Sequence, residues 1–142
     1  MGESEFDKII INKQNIIILI ENEEGIKIGG FISTQIDKIT NYGDNKKWIS
    51  DEKSFLFTFK DNKSMKYDIK KDKQDKAFCL YDKSHLNLFS IGNNDIVIEK
   101  IMDNTRIYQN ERSSFDYEGK ENALIGKTGD FSTKRIIVIQ MK

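Results

Sequence analysis

Four groupings in this chain have residue types that could do chemistry. Gly126-Lys127-Thr128 copies the end of a phosphate-binding loop, where backbone N–H groups and a lysine cradle phosphate oxygens. The complete pattern needs a glycine five residues before Gly126, and that position holds Glu121; Gly119 stands two residues too early. Gly129-Asp130 follows where a helix should begin, so no helix N-terminus is expected to face an anion. A turn between strands accounts better for these residues. Ser114-x-Asp116-x-Glu118-Gly119 imitates the start of a calcium loop, but its twelfth position, which should supply a bidentate glutamate, is Ile125.

Cys79 and His85 are the sequence's single cysteine and single histidine. As a pair they would be nucleophile and base, but Cys79 lies between Phe78 and Leu80 as a strand residue would, which predicts a buried and inert thiol. One cysteine also removes an internal disulfide framework and the ligands of a zinc centre. Twenty-three acidic side chains leave room for a carboxylate pair, as in glycoside hydrolysis, but no spacing singles one out. The expectation is a protein without catalytic, metal or cofactor-binding residues.

Composition narrows the partners. The chain has 142 residues, 37% hydrophobic and 32% charged, which fits one domain with a modest core and a well-solvated surface. Twenty-three basic residues balance the acids, so no overall field draws in nucleic acid or an anionic membrane. Met1 to Lys8 is polar and acidic, unlike a signal peptide. Phe6 stands where an N-myristoylation signal needs Ser or Thr. Ile16 to Ile20 is too short to cross a bilayer. A cytoplasmic location without membrane insertion is expected, which leaves the Asn62-Lys63-Ser64 glycosylation sequon silent. The absence of proline, with abundant Lys, Asn and Ile, reads as coding bias, and it leaves boundaries to Gly, Asn and Asp.

The elements are mostly strands. Ile16 to Ile20 is a candidate central strand, joined through Asn22-Glu23-Glu24-Gly25 to Ile26–Phe31 as a hairpin. Ile36 and Ile39 share a face at helical spacing, which predicts a short helix over Thr34–Ile39. Asn41–Lys47 reads as loop. A second hairpin joins Ser54–Lys60 to Met65–Ile69, with Phe55, Phe57 and Phe59 expected on the core face and Leu56 and Thr58 on the other. Lys70–Lys76 reads as a solvated loop. Ala77–Tyr81, Leu86–Ile91, Asp95–Ile98 and, more weakly, Arg106–Tyr108 follow as strands, and Phe115 and Tyr117 alternate as a strand would. Lys134–Gln140 is expected to be a well-buried strand that closes the sheet. The fold class is mainly β (α+β): an antiparallel two-sheet β-sandwich with one or two short flanking helices, residues 1–142 forming a single domain.

The order of these signals resembles the TLDc domain of oxidation-resistance proteins. The matching pieces are the apolar strand Ile16–Ile20, then Gly29-Gly30-Phe31 with Ser33 after it, and Trp48 ahead of Ser54-Phe55-Leu56-Phe57-Thr58-Phe59. Phe115, Asn122-Ala123-Leu124, Phe131 and the Arg135–Gln140 strand resemble the family's closing segment. The chain departs from the family in its middle, where Ile91-Gly92-Asn93-Asn94-Asp95 stands in for a longer glycine-rich and acidic stretch, and in the helix ahead of the first strand, which looks truncated. The resemblance implies a non-catalytic interaction module associated with the oxidative-stress response, with subunits of the vacuolar-type ATPase as possible protein partners. It supplies no catalytic residue. Gly29, Gly30, Phe31, Ser54, Phe55, Phe57, Phe115, Leu124 and Phe131 carry it, with core packing or backbone approach as their implied role, and the loops Asn41–Lys47 and Asn104–Arg112 are candidate contacts. A hydrolase-like enzyme of unrecognised mechanism and a calcium- or carbohydrate-binding β-sandwich are the competing readings. A deep pocket with two close acids would favour the enzyme; an exposed apolar patch would favour the module.

Overall fold

The computed structural model describes residues 5–39, 45–82, 84–100, 104–107, 114–126 and 129–141. Among them are one short α-helix, α1 (Glu5–Ile10), one 3-10 helix (Lys71–Lys76) and ten strands. These are β1 (Ile16–Asn22), β2 (Lys27–Ile32), β3 (Lys46–Ile49), β4 (Phe55–Lys60), β5 (Lys63–Asp68), β6 (Phe78–Tyr81), β7 (Asn87–Ile91), β8 (Ile96–Glu99), β9 (Asn104–Ile107) and β10 (Gly129–Gln140). Every paired neighbour is antiparallel.

The long strand β10 belongs to both layers of the sandwich. Its residues Gly129–Ser132 pair with β9, and its residues from Thr133 to Gln140 pair with β1. Between them Glu21 faces Arg135 while Asn22 faces Thr133, so Lys134 is an extra residue bulged out of the ladder. A bulge bends and twists the strand that carries it, which lets one strand turn the corner between two sheets. The first sheet runs β10-β1-β2-β4-β5 and the second β3-β6-β7-β8-β9-β10.

Local conformation explains the hairpins. Gly25 (φ +85°) closes the β1–β2 turn, where Asn22 Oδ1 accepts from the N–H groups of Glu24 and Ile26 at 2.9 Å each. Asp61 (φ +53°) and Asn62 (φ +62°) form the two-residue β4–β5 turn, a conformation that Asn and Asp tolerate better than most residues.

The core lies between the two sheets. Ile16, Ile18 and Ile20 of β1, Ile28 and Ile32 of β2, and Leu56 of β4 are buried with Phe78, Phe89, Ile91 and Ile98 of the second sheet. Gly30 marks a close approach of the layers: a Cβ there would sit 3.1 Å from Ile91 Cγ2 and 3.3 Å from Leu56 Cδ2. Sheet two is buried throughout its centre, since every residue of β6 and β8 is buried.

Several expectations are corrected. Residues 34–39 are not helical; the Ile36 N–H donates to Lys13 O and Ile36 O accepts from the Asn12 N–H. Those pairings fix the segment against the residues that follow α1, and Ile36 is buried without helical periodicity. Lys46 and Lys47 are strand rather than loop, paired with Tyr81 and Leu80. Lys71–Lys76 is a 3-10 helix that buries none of its residues. Phe115 makes a single bridge to Ile69, so Ser114–Tyr117 is not a strand. The strand expected at Arg106–Tyr108 is Asn104–Ile107, with Tyr108 outside the described residues.

The largest corrections concern facing. On β4 it is Leu56 and Thr58 that point inward, whereas Phe55 and Phe57 are half-buried and Phe59 is exposed. The strand alternates as expected, with its faces exchanged. Leu56 is the cross-strand partner of Gly30, and a Cβ at Gly30 would stand 3.3 Å from Leu56 Cδ2 and 3.1 Å from Ile91 Cγ2, so the core is already filled on that side of the strand. The part of β10 expected to be buried is half open, with Ile137 and Ile139 exposed, because it borders the first sheet.

Candidate functional site: an aromatic face on the first sheet

The exchange of faces on β4 places three phenylalanines on the outside of the first sheet. Strand register continues that surface sideways. Phe55 is paired with Phe31, Phe31 with Ile17, and Ile17 with Ile139. One row along, Phe57 is paired with Gly29, Gly29 with Leu19, and Leu19 with Ile137. Paired residues project to the same side of a sheet. The outer face of β10-β1-β2-β4 is therefore a continuous apolar surface.

The two rows are held differently. The Phe31 and Phe55 rings stack with centroids 5.2 Å apart, and the Lys66 ammonium lies 4.6 Å from the Phe55 centroid. In the second row the Phe57 ring lies across Gly29. Of the apolar residues on this face, Phe59 (40% exposed), Ile137 (37%) and Ile139 (46%) are the most open to solvent. Single apolar residues on a surface are ordinary; here they adjoin one another across four strands.

A charged row ends the surface. Glu21 on β1 pairs with Lys27 on β2 at 3.2 Å and with Arg135 on β10. The Arg135 guanidinium, and then Lys27, hold the Glu21 carboxyl below its ordinary range. Lys27 also lies 5.8 Å from the centroid of Phe59.

Other groupings are occupied by structure. A shallow polar cleft of about 800 Å³ lies between Ser33, Asp51, Lys53 and the 3-10 helix. Its buried Asp51 carboxylate accepts from Ser33 N–H at 2.6 Å, Ser33 Oγ at 2.5 Å and Lys53 N–H at 3.0 Å, which ties β2 to the loop before β4. Asp95 is buried and accepts from the Ser114 N–H (2.9 and 3.0 Å to its two oxygens) and from the Tyr117 hydroxyl at 2.7 Å. Burial pushes Asp95 up to about 6, against the pull of these donors, and raises Tyr117 as well. Among the described residues no group of three or more His, Cys, Asp or Glu could hold a metal ion.

The nine signature residues divide in two. Gly29, Phe31, Phe55 and Phe57 come together on the outer face. Gly30, Phe115, Leu124 and Phe131 are inside, and buried Ser54 donates to Phe31 O at 2.8 Å. The Leu124 carbonyl accepts from the Thr58 hydroxyl at 2.8 Å, fixing the 114–126 segment to the inner face of β4. Cys79 is fully buried, which pushes its thiol up to about 11, and His85 packs on Tyr81 while its Nδ1 accepts from the Asn87 N–H at 2.9 Å. Lys127-Thr128 lies outside the described residues, as do 41–44 and 108–112 of the two candidate contact loops. Within the calcium-like segment, Asp116 Oδ1 accepts from the Glu118 N–H, an ordinary turn contact. Sequence reasoning missed Ile17, Leu19, Ile137 and Ile139 as surface residues, because an unbroken apolar run hides which alternate positions face out. It missed Asp95, for which a lone acid after two asparagines gives no signal.

The TLDc domain family model matches residues 4–138, nearly the whole chain. The chain belongs to the TLDc domain family. Comparison with curated proteins gives no match. In this TLDc domain the glycine pair ahead of Phe31 has two separate tasks: Gly29 leaves room for the Phe57 ring, and Gly30 lets the sheets approach. The expected helix ahead of the first strand is a six-residue helix whose Phe6 stacks on Phe89 with centroids 4.6 Å apart. No helix among the described residues is long and apolar enough to cross a membrane.

Proposed function

We propose that this TLDc domain is a non-catalytic protein-interaction module whose recognition surface is the aromatic outer face of the first sheet. The observation that carries the reading is the continuity of Phe31, Phe55, Phe57, Ile17, Leu19, Ile137 and Ile139 across four strands, with Phe59, Ile137 and Ile139 open to solvent. Family membership supports an association with the oxidative-stress response, and it makes cytosolic subunits of the vacuolar-type ATPase the first partners to test. Balanced charge favours a protein over a nucleic acid, and residues 1–142 would act as one domain in the cytoplasm.

The experiment is affinity capture of the tagged protein from its own cell lysate, with and without peroxide, in parallel with Phe59→Ser. Phe59 is among the exposed apolar residues of the face, and thermal denaturation of the variant separates loss of capture from loss of fold. Recovery of ATPase subunits by the wild type and their loss with Phe59→Ser is the expected result. Equal recovery by both proteins would remove the aromatic face from the reading. Recovery of no ATPase subunit by folded, abundant bait would remove the partner.

A further inference from the structure

The charges of this protein balance overall but not locally. The 3-10 helix Lys71–Lys76 is held beside β3 by two backbone hydrogen bonds, from the Ala77 N–H to Ile49 O at 3.2 Å and from the Asp51 N–H to Gln74 O at 2.9 Å. A 3-10 helix repeats every three residues, so Lys73 and Lys76 share one side and Asp72 and Asp75 another. The two acids line the polar cleft beside Asp51, and the two lysines do not. In β6, Phe78 and Leu80 face the core, so Cys79 and its partner Trp48 project to the other side of the second sheet. Lys46, two residues before Trp48, projects to that same side. There the half-buried indole of Trp48 has the Lys46 ammonium 5.6 Å and the Lys76 ammonium 5.4 Å from its ring centroid. Neither ammonium has a carboxylate partner among the described residues.

We propose that Lys46, Lys73 and Lys76 around Trp48 form a binding site for a ligand that carries clustered phosphate groups. Two like charges drawn to one ring repel each other, and a polyanion seated between them relieves that repulsion. The ring also holds both side chains in advance, so less freedom is lost when the anion binds. All three cations are lysines, and lysine meets phosphate as a compact point charge, without the planar fork that suits carboxylates. The indole is already engaged by two ammonium groups, which leaves no ring free to stack on a base and sets nucleic acid aside. An inositol polyphosphate and the headgroup of a phosphoinositide lipid share the required chemistry. The site lies on the second sheet and is independent of what the aromatic face of the first sheet binds.

Trp48 is the sequence's single tryptophan, so its fluorescence reports on the site directly. The probes are inositol hexakisphosphate in solution, and phosphatidylcholine vesicles with and without phosphatidylinositol bisphosphate. Inositol hexakisphosphate is expected to change the emission with a dissociation constant on the order of 100 µM at low salt, a weak affinity that suits exposed charges. Lys46→Gln and Lys76→Gln are each expected to raise that constant about fivefold or more. Lys63→Gln, which removes the same charge from the β4–β5 hairpin, should leave it unchanged. A rise in the Tm of the wild type with the same probe is a second readout that needs no variant. A response to inositol hexakisphosphate alone makes the ligand a soluble phosphate ester. A response to the phosphoinositide vesicles, with or without it, makes the ligand a lipid headgroup, and either result supports the site. No response to either probe, or one reproduced by chloride at equal ionic strength, overturns it. So does a response that survives in both lysine variants or is weakened equally by Lys63→Gln.

Discussion

The Phe57 ring fills the space that a side chain at Gly29 would need. A Cβ at Gly29 would lie 2.8 Å from Phe57 Cζ and 1.9 Å from the carbonyl oxygen of Ile18, and that oxygen belongs to the backbone of the neighbouring strand. A ring can turn aside; the carbonyl can move only by displacing β1. Gly29→Ala is therefore expected to destabilise the domain by about 3 kcal/mol, the upper part of the range for overpacking, and to lower Tm by roughly 10 °C. Gly25→Ala, where a Cβ meets nothing within 4 Å and only the positive φ is strained, should cost about 1 kcal/mol. Thermal denaturation of the two variants checks the contrast, and equal losses would mean that close approach at Gly29 does not matter.

Asp95 gives the domain a pH dependence of unusual sign. Its carboxyl rises from an ordinary 3.8 to about 6 on folding because burial penalises the charge. Protonation is therefore favoured by folding: the contribution is complete below about pH 4 and is lost as pH rises through about 6, amounting to some 2–3 kcal/mol. Glu21 and Asp82, whose carboxyls are held low, act in the opposite direction and below this window. Tm measured from pH 4.5 to 7 should fall with rising pH, and Asp95→Asn should flatten that slope. An unchanged slope in the variant would show that the dependence comes from elsewhere.

Cys79 is expected to be chemically silent in the folded protein. It is fully buried in β6 with its thiol pushed up to about 11, so little thiolate exists at neutral pH and no reagent reaches it. Labelling by a thiol reagent should be slow in buffer and rapid in denaturant, its native rate following local or global opening. Cys79→Ser should leave peroxide survival unchanged. Prompt labelling of native protein, or lost protection in the variant, would make the thiol a direct participant.

The fold was legible to the extent that local rules governed it. Gly25 announces the first hairpin and the polar run Asp61–Ser64 the second, although the turn there is the tighter Asp61-Asn62 pair and the return strand begins at Lys63. The strands at Ala77–Tyr81, Leu86–Ile91 and Asp95–Ile98 appear within a residue or two of their observed bounds. Thr34–Ile39 misled because two isoleucines at i, i+3 suit a helix equally well as an extended segment with one anchor, and only hydrogen bonds to Asn12 and Lys13 decide between them. The candidate surface was less legible. Phe31, Phe55 and Phe57 stand out in the sequence, but their partners Ile17, Leu19, Ile137 and Ile139 are hidden in runs that alternate without changing character.

By itself the sequence determined a β-rich TLDc domain, with its turns, its strand alternation and the glycine pair that the packing requires. Tertiary structure alone decided which side of each strand is inside. A period of two separates the faces of β4 without ranking them, and the ranking came from packing: Leu56 lies beside Gly30 of the neighbouring strand, against Ile91 of the second sheet, and the three phenylalanines lie on the other face. The passage of β10 between the two sheets was decided in the same way: its apolar run carries no sign of the bulge at Lys134, which separates the residues paired with β9 from those paired with β1.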